Sequence, residues 1–234
     1  MRQKARKKRR HGKRIVLTLL VLILTISAVL AVANQTVLQD FLHFNASVAS
    51  MERGWNLILV NGEYKIPKDW KVELTELSNG QSVDSRIYPD LQQMFDDMRA
   101  QGVYPVVASG YRTAKKQQEL MDEKVNSFLA QGYSKSEAKS EAKKWVAGVG
   151  YSEHQTGLAV DINADGVNSF GQQVYAWLAD NAWKYGFILR YPEDKTEITK
   201  ADYEPWHYRY VGKEAAKEIY ESGLCLEEYI GMMN

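Results

Sequence analysis

The chain has 234 residues, with 30 Lys and Arg against 29 Asp and Glu, four His and a single Cys, which excludes any intramolecular disulfide framework. Nine of the 30 basic residues fall within residues 1–14, where no acid occurs, so the rest of the chain holds 21 bases against 29 acids, a balance near −8. That sign excludes nucleic acid as a partner, because backbone binding needs a positive face.

The basic N-terminus is a topology signal, because residues 15–33 follow it as an apolar run interrupted only by Thr18, Thr25 and Ser27. At about 1.5 Å per residue the run reaches roughly 28 Å, enough to cross a bilayer core of about 30 Å. The positive-inside rule keeps residues 1–14 in the cytoplasm and sends everything after Asn34 outside. Ala31-Val32-Ala33 reads alternatively as a signal-peptidase site. The apolar part of a signal peptide spans about 7–15 residues and this one is longer, which favours an uncleaved anchor. Both readings export the remainder. Residues 34–54 form a stalk, in which Val37, Leu38, Phe41, Leu42 and Phe44 mark an amphipathic helix over 36–51. About 180 residues, 55–234, are left for one domain.

Within that domain the run 55–60 predicts a strand. Pro89, Leu91, Met94, Met98 and a stop at Gly102 mark a helix, and 103–108 a strand ending at Ser109-Gly110-Tyr111-Arg112. Thr113 caps a helix through Gln117, Leu120, Met121, Val125 and Leu129. Ser134 with Glu137 forms a capping box for another helix ending near Gly148. A strand follows over 158–162, then a helix over 172–185 stopped by Gly186. Strands at 187–190 and 206–211 precede a helix over 213–221 stopped by Gly223. Helices and strands mix without strict alternation, so the fold class is α+β. Lone Cys225 reads as a core residue.

The chemistry lies in two short motifs. Ser152-Glu153-His154-Gln155-Thr156-Gly157-Leu158-Ala159-Val160-Asp161 is followed by Glu204-Pro205-Trp206-His207, and the pair holds two of the four histidines. Hydrolytic zinc takes three protein ligands and leaves a position for water. His154, Asp161 and His207 supply that set, and Glu204 is then the general base that takes a proton from the water. Gly157 allows a tight turn between the first two ligands. Period two places Ala159 with Asp161 on one strand face and Val160 with Ile162 on the core face. It likewise places His207 with Arg209 toward the cleft and Trp206 with Tyr208 in packing. Arg112, just after the Gly turn, aims a planar cation into the cleft for a substrate carboxylate or a developing oxyanion. Ser109, Tyr111, Gln117 and Ser152 are candidates for polar substrate contacts or for supporting the residues that make them, and Tyr191, Tyr203, Tyr208 and Tyr210 for the groove wall or a purely structural role.

Ser-x-His-x-x-Gly-x-Ala-x-Asp with Glu-x-x-Trp-His, preceded by Ser109-Gly110-Tyr111-Arg112-Thr113, resembles the LAS metallopeptidases. Within that group the chain is most similar to vancomycin-resistance-type D,D-carboxypeptidases and the related L,D-carboxypeptidases. The resemblance spans Trp55 to the C-terminus and departs at Val149-Gly150-Tyr151, where relatives often carry Pro-Gly. It implies a small antiparallel sheet with helices on its outer face and a zinc cleft on the other. It also implies Glu204, rather than neighbouring Asp202, as the base, and peptidoglycan stem peptides as substrate. Export without disulfides points to a Gram-positive wall. A monomer trimming a terminal D-amino acid is the leading expectation. An L,D-carboxypeptidase, an endopeptidase and a non-catalytic zinc-stabilised wall-binding module are the alternatives.

Overall fold

The computed structural model describes residues 54–233, so the expected anchor and the amphipathic segment 36–51 lie outside the described residues. Among the described residues no helix is long and apolar enough to cross a membrane.

A two-stranded hairpin, β1 (Leu74–Glu76) and β2 (Ser82–Asp84), opens the fold. Helix α1 (Tyr88–Ala100) leads to β3 (Pro105–Ser109), and α2 (Ala114–Ala130) and α3 (Lys135–Trp145) pack on one another before a 3-10 turn at Glu153–Thr156. Then come β4 (Ala159–Ala164), α4 (Gly171–Asn181), β5 (Phe187–Leu189), the short α5 (Thr196–Thr199) and β6 (His207–Tyr210). Helices α6 (Lys213–Ser222) and α7 (Leu226–Met232) close the chain. The main sheet is antiparallel throughout, in the order β3-β4-β6-β5. The expected α+β class holds.

The caps follow the local chemistry. The Thr113 side chain accepts from Lys116 N at 3.1 Å, and Ser134 and Glu137 complete both halves of their box. Gly102 ends α1 at φ 77°, where the backbone turns left-handed and Val103 N reaches back to the Met98 carbonyl. Two hydrophobic clusters flank the sheet. Ile87, Leu91, Met94 and Met98 meet Val107, Val160, Ile162 and Tyr208 in one. Ile188 and Val211 meet Ala216, Ile219, Leu226 and Ile230 in the other. Cys225 is buried, as expected of a small core residue.

Four expectations are corrected. The run 55–60 is a 3-10 turn, Trp55–Leu57, followed by extended chain outside any sheet. Its carbonyls are taken elsewhere: Arg209 Nη2 donates to Asn56 O at 3.1 Å and Ile58 O at 2.7 Å, which replaces a strand ladder. The 172–185 helix stops at Asn181 and tightens into a 3-10 turn over Ala182–Tyr185 before Gly186 at φ 86°. Trp206 is 37% exposed and precedes β6. Tyr208 and Tyr210 belong to the core and line no groove, because they occupy the β6 face opposite His207.

Candidate active site

Each chemical residue sits where the backbone is held from two sides. Glu153–Thr156 forms a 3-10 turn that ends at Gly157, φ 76°. A Cβ there would come within 3.0 Å of Asp84 N and the Val72 side chain, so the tight turn excludes a side chain as expected. Directly afterwards β4 carries Asp161, which pairs across the ladder with His207 on β6 and with Ser109 on β3. A register irregularity between Val107 and Ser109 brings Ser109 opposite Asp161. Three neighbouring strands thus deliver one residue each to a single spot.

His154, Asp161 and His207 offer donor atoms that all lie within 4.8 Å of one another. His154 Nε2 lies 3.3 Å from Asp161 Oδ2, and His207 Nδ1 lies 3.0 Å from Asp161 Oδ1. The two rings stand edge-on, 5.0 Å between centroids and 86° between planes. The remaining nitrogens are held by different partners. His154 Nδ1 faces the Gly110 carbonyl at 2.8 Å, which leaves its Nε2 as the lone-pair nitrogen pointing at Asp161. His207 Nε2 faces Glu153 Oε2 at 3.6 Å, which leaves Nδ1 for the same spot.

Gly110 is the hinge of that arrangement. Its N donates to Gln81 Oε1 at 3.0 Å, Tyr111 N donates to Ser82 O at 2.6 Å, and a Cβ on Gly110 would lie 2.2 Å from Ser82 O. Gly110→Ala must push the loop off β2 and pull its carbonyl from His154. The expected result is a loss of about 1–3 kcal/mol in denaturant unfolding, the range for overpacking a tight site. An unchanged unfolding midpoint would show that the loop yields freely.

Arg112 reaches the same spot: Nε donates to Ser109 Oγ at 3.0 Å and Nη2 to Asp161 Oδ2 at 3.1 Å. Glu204 Oε2 stands 3.7 Å from His207 Nδ1, with its side chain 34% exposed. Asp202, the alternative acid, is exposed and forms no ion pair among the described residues. Tyr191 lies against the His207 ring, 4.9 Å between centroids, while Tyr203 is exposed. Ser152 is buried at the start of the His154 turn, and Tyr111 is half-buried beside Arg112. Gln117 is also buried; its Nε2 donates to Ala147 O at 2.7 Å, and its Oε1 has no partner among the described residues.

Arg209 does share the His207 face, but that face is a closed ion cluster and not an open cleft. Arg209 Nη1 donates to Glu153 Oε1 at 2.7 Å, and Arg190 Nε donates to the same oxygen at 2.8 Å. Glu153, Arg190 and Arg209 are all buried. Sequence reasoning passed over Glu153, since an acid between two motif letters reads as a solvated loop residue. The nearest signal was the alternation that put Arg209 on the His207 face, because a buried Arg requires a carboxylate.

The electrostatics divide the acids into two kinds. Burial opposes ionisation of Asp161, yet hydrogen bonds and charge from both imidazoles hold its carboxyl well below the usual range. Burial also opposes charge on His207, but Asp161 and Glu153 outweigh it and push the ring up to about 9. His154 is lowered, chiefly by burial. Glu204 goes the other way from Asp161, raised above 4.5 chiefly by burial. A protonated His207 set against an ionised Asp161, around a point where three donor atoms converge, is the charge pattern a divalent cation would displace. Two imidazole nitrogens and one carboxylate oxygen are the donor chemistry that suits zinc.

The family described as VanY, D-alanyl-D-alanine carboxypeptidase, matches residues 80–213, more than half of the chain. A D-alanyl-D-alanine carboxypeptidase of Enterococcus faecalis is 62% identical over 179 residues, which is 76% of this chain and 67% of that protein. A mutant of the vancomycin-resistance D,D-pentapeptidase VanY from a VanB-type cassette, in complex with Zn(II), matches with TM-score 0.72 at 62% identity. The match covers 76% of this chain and 99% of that one. VanYB in complex with D-alanine-D-alanine matches with TM-score 0.74 at 61% identity, covering 77% of this chain and 100% of that one. With the ligand-donor triad, the neighbouring acid and these matches taken together, the chain belongs to the VanY family of D-alanyl-D-alanine carboxypeptidases.

Proposed function

We propose that this chain is a zinc-dependent D-Ala-D-Ala carboxypeptidase that removes the terminal D-amino acid from peptidoglycan stem peptides. His154, Asp161 and His207 hold the ion, and Glu204 is the general base. The observation that carries the reading is Glu204: an acid beside the donor triad, part-exposed, and raised in pKa by burial. A closed structural zinc site has no use for such a group, which speaks against the wall-binding module.

Bound zinc supplies Lewis acidity and lowers the pKa of a coordinated water. The chain does the rest. Glu204 takes the proton of the attacking water and can hand it to the leaving amine. Arg112, pinned by Ser109 and Asp161, presents a fixed guanidinium at the edge of the triad. There it can meet the terminal carboxylate of a substrate or the charge growing on its carbonyl oxygen. A carboxylate-binding role favours carboxypeptidase over endopeptidase action. Gln117, whose Oε1 has no partner among the described residues, Ser152 and Tyr111 are the further polar contacts we assign to substrate.

Defined pentapeptide and tetrapeptide muropeptides, incubated with the soluble domain and read by mass, test the activity. Loss of one D-Ala from the pentapeptide is expected. Loss only from the tetrapeptide would make it an L,D-carboxypeptidase, and an internal cut an endopeptidase. Tight binding without any cut would leave the binding module. Metal content tests the site: one zinc per chain is expected, and His154→Ala, Asp161→Ala and His207→Ala should each abolish tight binding. Stoichiometric metal in the His207 variant would sink the ligand set.

We further propose a single-pass anchor over residues 15–33 with the catalytic domain, a monomer, facing the wall outside the cell; the sequence pattern alone supports it. Protease added to intact protoplasts should then degrade the domain. Full protection would overturn the orientation.

A further inference from the structure

An ion cluster lies directly beneath the donor triad. Glu153 Oε1 is saturated by Arg190 Nε and Arg209 Nη1. Glu153 Oε2 and His207 Nε2 are both buried and have no hydrogen-bond partner among the described residues. The two atoms face each other at 3.6 Å, one an acceptor and the other able to donate. Pairing them satisfies both, and it fixes the His207 tautomer with Nδ1 free to bind a metal.

Behind Glu153 the cluster continues to the last helix. Arg190 Nη1 and Nη2 donate to Glu227 Oε2 and Oε1 at 2.8 and 2.7 Å, a two-pronged pair, and Asn61 Nδ2 donates to Glu227 Oε1 at 3.0 Å. Two guanidiniums therefore face two carboxylates. Asn61 and α7 are thereby tied, through Glu227 and Arg190, to the carboxylate that backs His207.

We infer that Glu153 is a positioning residue for His207 and that Glu227, on α7, tunes it through Arg190, so that the C-terminal helix sets the affinity of the metal site. Removing the charge of Glu227 leaves Arg190 to pull on Glu153 alone. The carboxylate then presents a weaker acceptor to His207, and the cluster behind the metal gains one net positive charge. Both effects weaken cation binding. The order of sensitivity follows the chain of contacts: Glu153 first, Glu227 second, and apolar residues of α7 not at all.

The inference rests on the ligand set proposed above, and its test separates the two. Metal-free full-length protein is titrated with zinc against a chromophoric chelator, and with cobalt for its visible ligand-field spectrum. Carboxylate partners of metal-bound His are worth about 10–100-fold in affinity, so Glu153→Gln should lose about that much. Glu227→Gln, one contact further out and close in shape, should lose about 3–10-fold and shift the cobalt bands. Leu226→Ala, which trims an apolar contact of α7 and removes no hydrogen bond of the ion cluster, should bind zinc like wild type. Wild-type protein that fails to bind zinc would overturn the ligand set itself. Zinc-binding wild type with an unaltered Glu227→Gln, or with Leu226→Ala as impaired as Glu227→Gln, would overturn the coupling alone. Should Glu153→Gln fail to fold, the Glu227→Gln comparison still decides.

Discussion

Glu204→Gln is expected to keep one zinc per chain and to lose about 10²–10⁴-fold in kcat/KM, the range for a general base. The amide preserves shape and cannot accept a proton, and Glu204 stands outside the donor triad, so metal binding should survive. A pH signature accompanies the loss. A base must be ionised to work, and burial raises Glu204 above its ordinary 4.5, so wild-type activity should fall as pH drops through that raised value. The residual activity of the variant should lack this acidic limb. Rates measured from pH 4 to 8 by release of D-alanine check both points. A zinc-loaded variant as active as wild type would reject the base assignment.

Glu153→Ala should have the largest effect on stability. Its carboxylate lies between Arg190 and Arg209, all three side chains at most 1% exposed, so truncation strands guanidinium charge in the interior. Removing one partner of a buried ion pair costs about 3–5 kcal/mol, against a total stability of about 5–15 kcal/mol for a domain. For a domain of this size that corresponds to a fall in Tm on the order of 10 °C. Calorimetry of the metal-free protein reads it without interference from the ligands. A loss below about 1 kcal/mol would mean that water reaches the cluster and solvates the guanidiniums.

The juxtaposition of the candidate residues was legible in the sequence because they are concentrated in two short stretches. His154 and Asp161 are tied by one turn and one strand, and Glu204 and His207 by one strand entry. Strand period two also placed Val160 and Ile162 in the core and His207 with Arg209 on one face. Glu153 was not legible, because nothing local distinguishes a buried acid from a solvated one; its partners lie 37 and 56 residues away. For the same reason 55–60 was misread, since the apolar, β-prone run has its carbonyls claimed by Arg209, more than 150 residues on. The β1–β2 hairpin carried a usable signal that went unread. Asn79-Gly80 sits at its turn, with Gly80 at φ 80°, where a left-handed backbone favours glycine. Helix α7 was missed as well, although the Glu228 side chain accepts from Cys225 N at its start.

The ladder that joins β3, β4 and β6 has a consequence for assembly of the protein. Ser109 lies across from Asp161 and Asp161 across from His207, so the donor set exists only in one alignment of the strands. A slip of β6 by one residue would carry His207 into the apolar core and Tyr208 onto the ion cluster. The partners are also far apart in sequence, 46 residues for Asp161 and His207. Bringing them together is slow and late compared with forming the helices. An ion captured by the full triad would therefore report a correctly zipped sheet, which makes metal uptake an inspection of the folded chain.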